Sequence, residues 1–193
     1  MDFLNLNIPP NKTQPGAGKL LIAEPFLNDT NFTRSVVFLC EHSADGTVGF
    51  ILNHLTEINL GDILPDLYPA TAPIFEGGPV QEDTLHMLHR VPAILGGNEI
   101  LPGIYWGGSY EILQDLIKEN RYNSSDIRLY VGYSGWSAGQ LDKEMEENSW
   151  LVTDAASSIL FDTDHKDIWK AAIGLLGKDY AFLANMPVNP QLN

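Results

Sequence analysis

The feature that most limits the possible fold is a pair of apolar runs separated by an Asp-Gly step. Residues 35–40 (SVVFLC) form a continuous β-branched and aromatic run, which is typical of a strand buried on both faces. Residues 47–53 (TVGFILN) follow after Asp45-Gly46, and glycine tolerates the positive φ that a tight hairpin turn requires. The pattern predicts two neighbouring antiparallel strands inside the core.

Further strands are predicted at short apolar stretches in both halves of the chain. They cover residues 19–23 (KLLIA), 85–89, 104–106 and 128–133 (RLYVGY). Most of these stretches precede residue 107, so the first half of the chain is predicted to be dominated by strands.

Helices are predicted in the second half. Residues 110–120 place apolar side chains at helical spacing behind Ser109, a good N-cap residue. Residues 138–148 are polar and acidic, which predicts a surface helix, and residues 166–176 are flanked by Asp164 and Gly177 as start and stop signals. Strands early and helices late predict an α+β protein.

Length and composition favour one globular domain over residues 17–186, either compact or in two lobes. The chain has 193 residues, 44% of them hydrophobic, and its single cysteine, Cys40, excludes an intramolecular disulfide. Residues 1–16, rich in proline and asparagine, are predicted to form a flexible arm, and residues 187–193 a frayed end. Neither a secretory signal nor a membrane span is predicted, so we expect a cytoplasmic protein without membrane contact.

The charge balance argues against nucleic-acid partners. Eleven basic residues face 25 acidic ones, giving a formal charge of −14, and the basic residues do not cluster. Binding to DNA or RNA depends on neutralising phosphates with clustered Lys and Arg. Direct contact with nucleic acid is therefore not expected.

Residues 135–139 (GWSAG) match the G-x-S-x-G pattern of a serine nucleophile. In that interpretation Ser137 would attack an acyl carbon, with His165 as base and Asp162 as one of the carboxylates able to orient it. The alternative is a capping box, in which Ser137 and Gln140 start a helix after a tight strand-to-helix turn. The second interpretation explains the segment better, so no catalytic residue is assigned.

A metal site is suggested by His86 and His89, which could converge on one ion if they lay on a helix. The segment looks more like a strand, where side chains three residues apart point to opposite faces. We therefore predict no metal site and no cofactor.

Two glycine-bracketed segments are the most informative parts of the chain. Residues 75–80 (FEGGPV) lack the Lys-Ser/Thr of a phosphate loop, and they are predicted to form a turn where two backbones approach closely. The second segment is residues 132–141 (GYSGWSAGQL). In it Trp136 lies between glycines, which predicts a semi-exposed contact residue. Trp150 and Trp169 are predicted to fill the core.

The chain resembles the YqgE/AlgH family of bacterial proteins over about residues 18–177. The resemblance is carried in order by GKLLIAEPFLNDTNFTRSVVFLCEH, GTVGFILN, EGGPV, a strand ending in LH, GYSGWSAGQLDKE and a tryptophan at position 150. It implies a bifurcated mixed β-sheet curled into a pseudo-barrel and flanked by helices. It also implies a cytosolic protein of a kind often labelled a transcriptional regulator, through a genetic link to alginate production in one branch.

Residues that match the family pattern define a predicted patch for a ligand or partner. Its members are Arg34, His42, Asn53, Gly77, Gly78, Pro79, His89, Tyr133, Trp136 and Gln140. Three functions follow in order of preference. The first is a binding or regulatory module, which could control transcription indirectly; the second is a hydrolase using Ser137; the third is a DNA-binding regulator.

Overall fold

The computed structural model describes residues 8–67 and 72–187. This part of the chain contains nine strands and six α-helices. The strands are β1 (Lys19–Ala23), β2 (Val36–Ser43), β3 (Gly46–Ile51), β4 (Ile74–Glu76), β5 (Val80–His89), β6 (Asn98–Leu101), β7 (Ile104–Trp106), β8 (Ile127–Ser137) and β9 (Trp150–Asp154). The helices are α1 (Leu60–Ile63), α2 (Pro92–Leu95), α3 (Tyr110–Lys118), α4 (Gln140–Glu146), α5 (Ser157–Phe161) and α6 (Ile168–Leu175).

One long strand, β8, organises the sheet. The strand order is β6-β7-β5-β8-β3-β2-β1-β9, and β4 pairs with β8 in parallel outside this path. The first half of β8 pairs with β4 and β5, while its last residues pair with β3. The sheet therefore forks at β8. This confirms the predicted α+β class and the bifurcated mixed sheet. The sheet is not closed into a barrel, because within the described residues its outer strands, β6 and β9, do not pair with each other.

The sheet is covered by apolar side chains on both faces. One cluster packs β1, β2 and β8 against α5, α6 and a 3₁₀ helix at Lys178–Asn185, and a second packs α1, α2 and α3 on the first half of β8. A third lies under α4 and contains Trp136 and Trp150. Trp150 and Trp169 are buried, as predicted, and so is the thiol of Cys40.

The strand and helix predictions hold at most positions. The hairpin joins β2 and β3 around Asp45, residues 104–106 form β7, and the Ser109 side chain caps α3 by accepting a hydrogen bond from Ile112 N. The start of α6 differs, because Asp164 accepts from Lys166 N in a preceding turn and the helix begins at Ile168.

The described parts of the two terminal segments lie against the domain. Asn11 exchanges two hydrogen bonds with the backbone of Val152, each 3.0 Å long, and the Tyr180 hydroxyl donates to Pro9 O. At the other end Arg34 donates to the carbonyls of Met186 and Pro187. The rest of the predicted arm and frayed end, residues 1–7 and 188–193, lies outside the described residues. In the part of the chain that is described, no helix is long and apolar enough to cross a membrane.

Candidate functional site

The fork of the sheet is built from glycines. Gly77 and Gly78 follow β4, and Gly132 lies within β8 with a φ of +65°. A Cβ on Gly77 would lie 2.3 Å from Gly132 O, and one on Gly132 would lie 2.5 Å from Gly78 O. The two backbones therefore lie so close together that neither position has room for a side chain. This confirms the close approach predicted for residues 75–80.

A groove of about 410 Å³ opens where the two halves of the sheet diverge. Its walls come from the β2–β3 hairpin, the start of β5 and the end of β8. We call it the fork groove. It is lined by Glu41, Ser43, Asp45, Gly46, Thr47, Val48, Val80, Tyr133, Gly135 and Trp136.

Carboxylates dominate the electrostatics of the fork groove. Glu41 and Asp45 are exposed on the hairpin, and none of the lining residues is a lysine or arginine. The polar remainder consists of hydroxyl groups, with Thr47 Oγ1 2.8 Å from His42 Nδ1. The groove is suited to a group that carries positive charge or donates hydrogen bonds.

Trp136 is not the semi-exposed contact residue that its glycine neighbours suggested. Its side chain is only 4% exposed, stacks on Phe32 and meets Trp150 edge-on. The indole N–H groups of Trp136 and Trp150 both donate to Glu144 Oε2, each at 2.8 Å. Burial of the ring against α4 outweighs the exposure expected from the flanking glycines.

Ser137 is the last residue of β8, and a two-residue turn at Ala138-Gly139 leads into α4 at Gln140. The predicted strand-to-helix turn is therefore present, but it occupies only the end of the GWSAG segment, and Gly135 lies in the strand. Gln140 Oε1 accepts from both Ser137 N and Ser137 Oγ, at 3.1 and 3.2 Å, which is one half of a capping box. The N-cap of α4 is Gly139, so Ser137 itself does not cap the helix.

The hydrolase set is dispersed. Asp162 pairs with Arg90 at 3.0 Å, and His165 Nδ1 lies 3.4 Å from Asp164. Both lie near the start of β8, whereas Ser137 ends it. Among the described residues, the hydrogen bonds of Ser137 include none to a histidine.

Most other members of the predicted patch have structural contacts. Asn53 bridges the backbones of Arg34 and Val36, and the Arg34 guanidinium lies 4.5 Å from the Trp169 ring centroid. Gln140 is exposed on α4, where its amide donates to Glu144. Tyr133 and Trp136 border the fork groove, with His42 beside it and Pro79 exposed after the buried Gly77 and Gly78. The ten residues therefore do not form one patch.

His89 is fully buried at the end of β5. Its Nδ1 accepts from Val91 N at 3.2 Å and its Nε2 donates to Gly107 O at 2.9 Å. Burial lowers the pKa of His89, against a smaller opposing effect of the bond to Gly107. His86 Nε2 lies 2.9 Å from Thr84 Oγ1. Among the described residues, no group of three or more His, Cys, Asp or Glu side chains could hold a metal ion.

Sequence reasoning missed two features of the site. The hairpin residues Glu41, Ser43 and Asp45 were not identified as groove residues, because nothing local shows that β5 and β8 lie opposite them. Arg128 was overlooked inside the RLYVGY strand, although a lone charge in an apolar run is a visible signal. It lines a separate cleft at the start of β8.

Comparison with known proteins gives a consistent result. A family model described as AlgH-like matches residues 20–181. A UPF0301 protein of Chlorobaculum tepidum is 41% identical over 177 residues, covering 91% of this chain and 95% of that protein. A UPF0301 protein of Bacteroides thetaiotaomicron is 38% identical over 184 residues, covering 95% and 94%.

Solved structures resemble this one over nearly their whole length. The solution structure of the AlgH protein from Pseudomonas aeruginosa has a TM-score of 0.69 at 30% identity and covers 91% of this chain and 98% of that one. A crystal structure of a Corynebacterium diphtheriae protein has a TM-score of 0.72 at 21% identity, covering 90% and 94%. At that identity the second match concerns the fold alone.

Proposed function

The chain belongs to the AlgH-like family, and on that premise we propose that it is a binding module that acts through a partner protein or small ligand held in the fork groove. The observation that carries the proposal is the groove itself. It is concave, it lies at the point where the sheet divides, and polar groups converge on it from three strands.

The chemistry of the rim favours one class of ligand group. Glu41 and Asp45 supply negative charge without a lysine or arginine among the lining residues to offset it. A primary amine or guanidinium would find opposite charge there, and the hydroxyl groups of Tyr133 and Ser43 could accept its remaining hydrogen bonds. The bound group is therefore a lysine or arginine side chain of a partner, or a small amine.

Catalysis by Ser137 has little support from this geometry. Its hydroxyl donates to Gln140 Oε1, and a nucleophile of this type needs a base within hydrogen-bond reach. Direct DNA binding is disfavoured by the charge of −14. In this proposal any effect on transcription passes through the partner, and the protein acts in the cytoplasm.

Cross-linking from the groove tests the proposal. A photo-reactive amino acid is placed at Ser43 on the groove rim, and in a second protein at Glu111, which is exposed on α3. After irradiation in the native cell, we expect a defined partner attached at Ser43 and not at Glu111. For a small ligand, native mass spectrometry of the purified protein should show an added mass instead.

A groove-filling variant provides the matched comparison. A Cβ at Gly135 would meet only side-chain atoms, the Tyr133 ring at 3.1 Å and Val80 Cγ2 at 3.6 Å, so Gly135→Leu should fill the groove without displacing backbone. Gly174→Leu adds the same side chain on the exposed side of α6, where nothing lies within 4 Å. Loss of the adduct in the first variant alone supports the proposal. An adduct that survives Gly135→Leu, or the absence of any adduct by both methods, overturns it.

A further inference from the structure

A second concave site lies at the opposite end of β8. It is a cleft of about 230 Å³ between the turn before β8 and the segment that joins α5 to α6. We call it the Arg128 cleft. Its lining includes Leu55, Phe75, Ser125, Arg128, Phe161 and His165.

The distinctive group in this cleft is a buried arginine. Arg128 is 8% exposed, its Nη2 donates to Thr163 O at 3.1 Å, and its guanidinium lies 5.0 Å from the centroid of the Phe75 ring. Its Nη1 is buried and has no hydrogen-bond acceptor among the described residues. A buried charge without an opposite charge is costly, and an unpaired donor adds to that cost.

The neighbouring carboxylates do not bond to Arg128. Asp164 is near enough that the Arg128 charge helps, after the hydrogen bond from Lys166 N and other nearby charges, to lower the pKa of Asp164, but the two groups are not in contact. Asp126 and Asp162 are engaged by Arg90, at 2.9 and 3.0 Å, so that arginine has two acidic partners. Asp164 lines the Arg128 cleft but accepts from Lys166 N and lies beside His165. Within the described residues no carboxylate is within 4.0 Å of the Arg128 guanidinium nitrogens.

We propose that the Arg128 cleft binds a small organic monocarboxylate, with its carboxylate on the Arg128 guanidinium and its apolar body against Phe75 and Phe161. A planar guanidinium matches the geometry of a carboxylate. The apolar walls and the volume, below the roughly 300 Å³ at which drug-sized ligand pockets begin, select a small compact body. The carboxylate of Asp164 repels a dianion more strongly than a monoanion, so a phosphate monoester fits less well.

This site is independent of the fork groove, because the two lie at opposite ends of an eleven-residue strand. Failure of one proposal therefore does not imply failure of the other. The Gly135→Leu variant should bind carboxylates as the unmodified protein does.

A titration of the full chain with small aromatic probes, monitored by NMR, tests the proposal. Benzoate carries the carboxylate, benzamide is its neutral counterpart, and phenyl phosphate carries a second charge. We expect saturable binding of benzoate below about 10 mM, at least about tenfold weaker binding of benzamide, and weaker binding of phenyl phosphate. Shifted amides should include those of residues 127–128 and 163–165.

Two substitutions locate the site. Arg128→Met should weaken benzoate binding at least about tenfold, since it removes the charge but keeps most of the side-chain volume. Leu55→Trp should obstruct the cleft from its rim without changing the arginine, while Leu175→Trp enlarges an equally exposed residue on α6 and should leave binding unchanged.

Several results would overturn the proposal: no saturation by benzoate below about 10 mM, equal affinity for benzamide, or binding that both Arg128→Met and Leu55→Trp leave intact. Tighter binding of phenyl phosphate than of benzoate would reject the monocarboxylate in favour of a phosphate ligand. If Arg128→Met does not fold, Leu55→Trp and the benzamide comparison still decide the matter.

Discussion

The two ends of β8 differ in whether their buried polar groups have hydrogen-bond partners. At the end of the strand, Gly132 brings backbones into contact, and the buried indole groups of Trp136 and Trp150 share the Glu144 carboxylate. At the start, Arg128 Nη1 and the Tyr130 hydroxyl are buried without a hydrogen-bond partner in the described chain. The buried indole N–H groups at the end of the strand are hydrogen-bonded, whereas two buried polar groups at its start are not.

The two sites therefore depend on different features: the fork groove on close contact between backbones, and the Arg128 cleft on one charged side chain. The fork groove depends on glycines, because any side chain at Gly77 or Gly132 would push two strands apart. The Arg128 cleft depends on one side chain that projects from regular strand backbone. Substitutions of the fork glycines Gly77 and Gly132 should therefore damage the fold, whereas substitution of Arg128 should alter binding.

The largest effect should come from a methyl group at the fork. In Gly132→Ala the new Cβ would lie 2.5 Å from Gly78 O, in a backbone with φ of +65°, so we expect a loss of about 4 kcal/mol or more in the free energy of unfolding. Urea denaturation measures it. Gly139→Ala, with φ of +72° and nothing within 4 Å, carries only the conformational strain and should lose about 1 kcal/mol. Equal losses in the two variants would show that close backbone contact does not hold the fork together.

A smaller loss is expected when the completed polar network is broken. Glu144→Ala would remove the acceptor of two buried indole N–H groups, which should cost about 2–3 kcal/mol in the free energy of unfolding and shift the tryptophan emission. Glu146→Ala removes an exposed carboxylate from the same helix and should change stability by less than about 0.5 kcal/mol. If Glu144→Ala loses no more free energy of unfolding than Glu146→Ala, the hydrogen bonds from the two indole groups to Glu144 do not stabilise the end of β8.

The smallest change in stability is expected for the arginine at the other end. Because Arg128→Met removes a buried charge that no carboxylate of the described chain contacts, the ligand-free variant should remain within about 1 kcal/mol of the unmodified protein. Urea denaturation without added carboxylate is the measurement. A loss above about 2 kcal/mol would instead mean that the bond to Thr163 O and the contact with Phe75 make Arg128 a structural residue.

Local sequence was sufficient wherever a segment's own pattern decides its structure. The apolar runs of β2 and β3, the Asp45 turn between them and the Ser109 cap of α3 were all predictable, because each depends on neighbours within a few residues. The α+β class followed from the order of such segments.

Segments whose structure depends on distant partners were not predictable in this way. Gly135 indicates a turn locally, yet it lies in a strand because it pairs with Val48. The strand β9 was missed, since it is fixed by β1, more than 120 residues earlier. The burial of Trp136 likewise depends on Phe32 and Glu144, which no local pattern connects to it.

The position of β8 in the chain has a consequence for assembly. This strand begins at Ile127, yet it joins β3, β4 and β5, which are all complete by His89. During synthesis, those earlier strands must therefore exist with unpaired edges while the 37 residues between His89 and Ile127 are added. Such edges are templates for aggregation. Chains that stop before residue 127 should be insoluble or depend on chaperones, and the fold should form late and slowly through its long-range contacts.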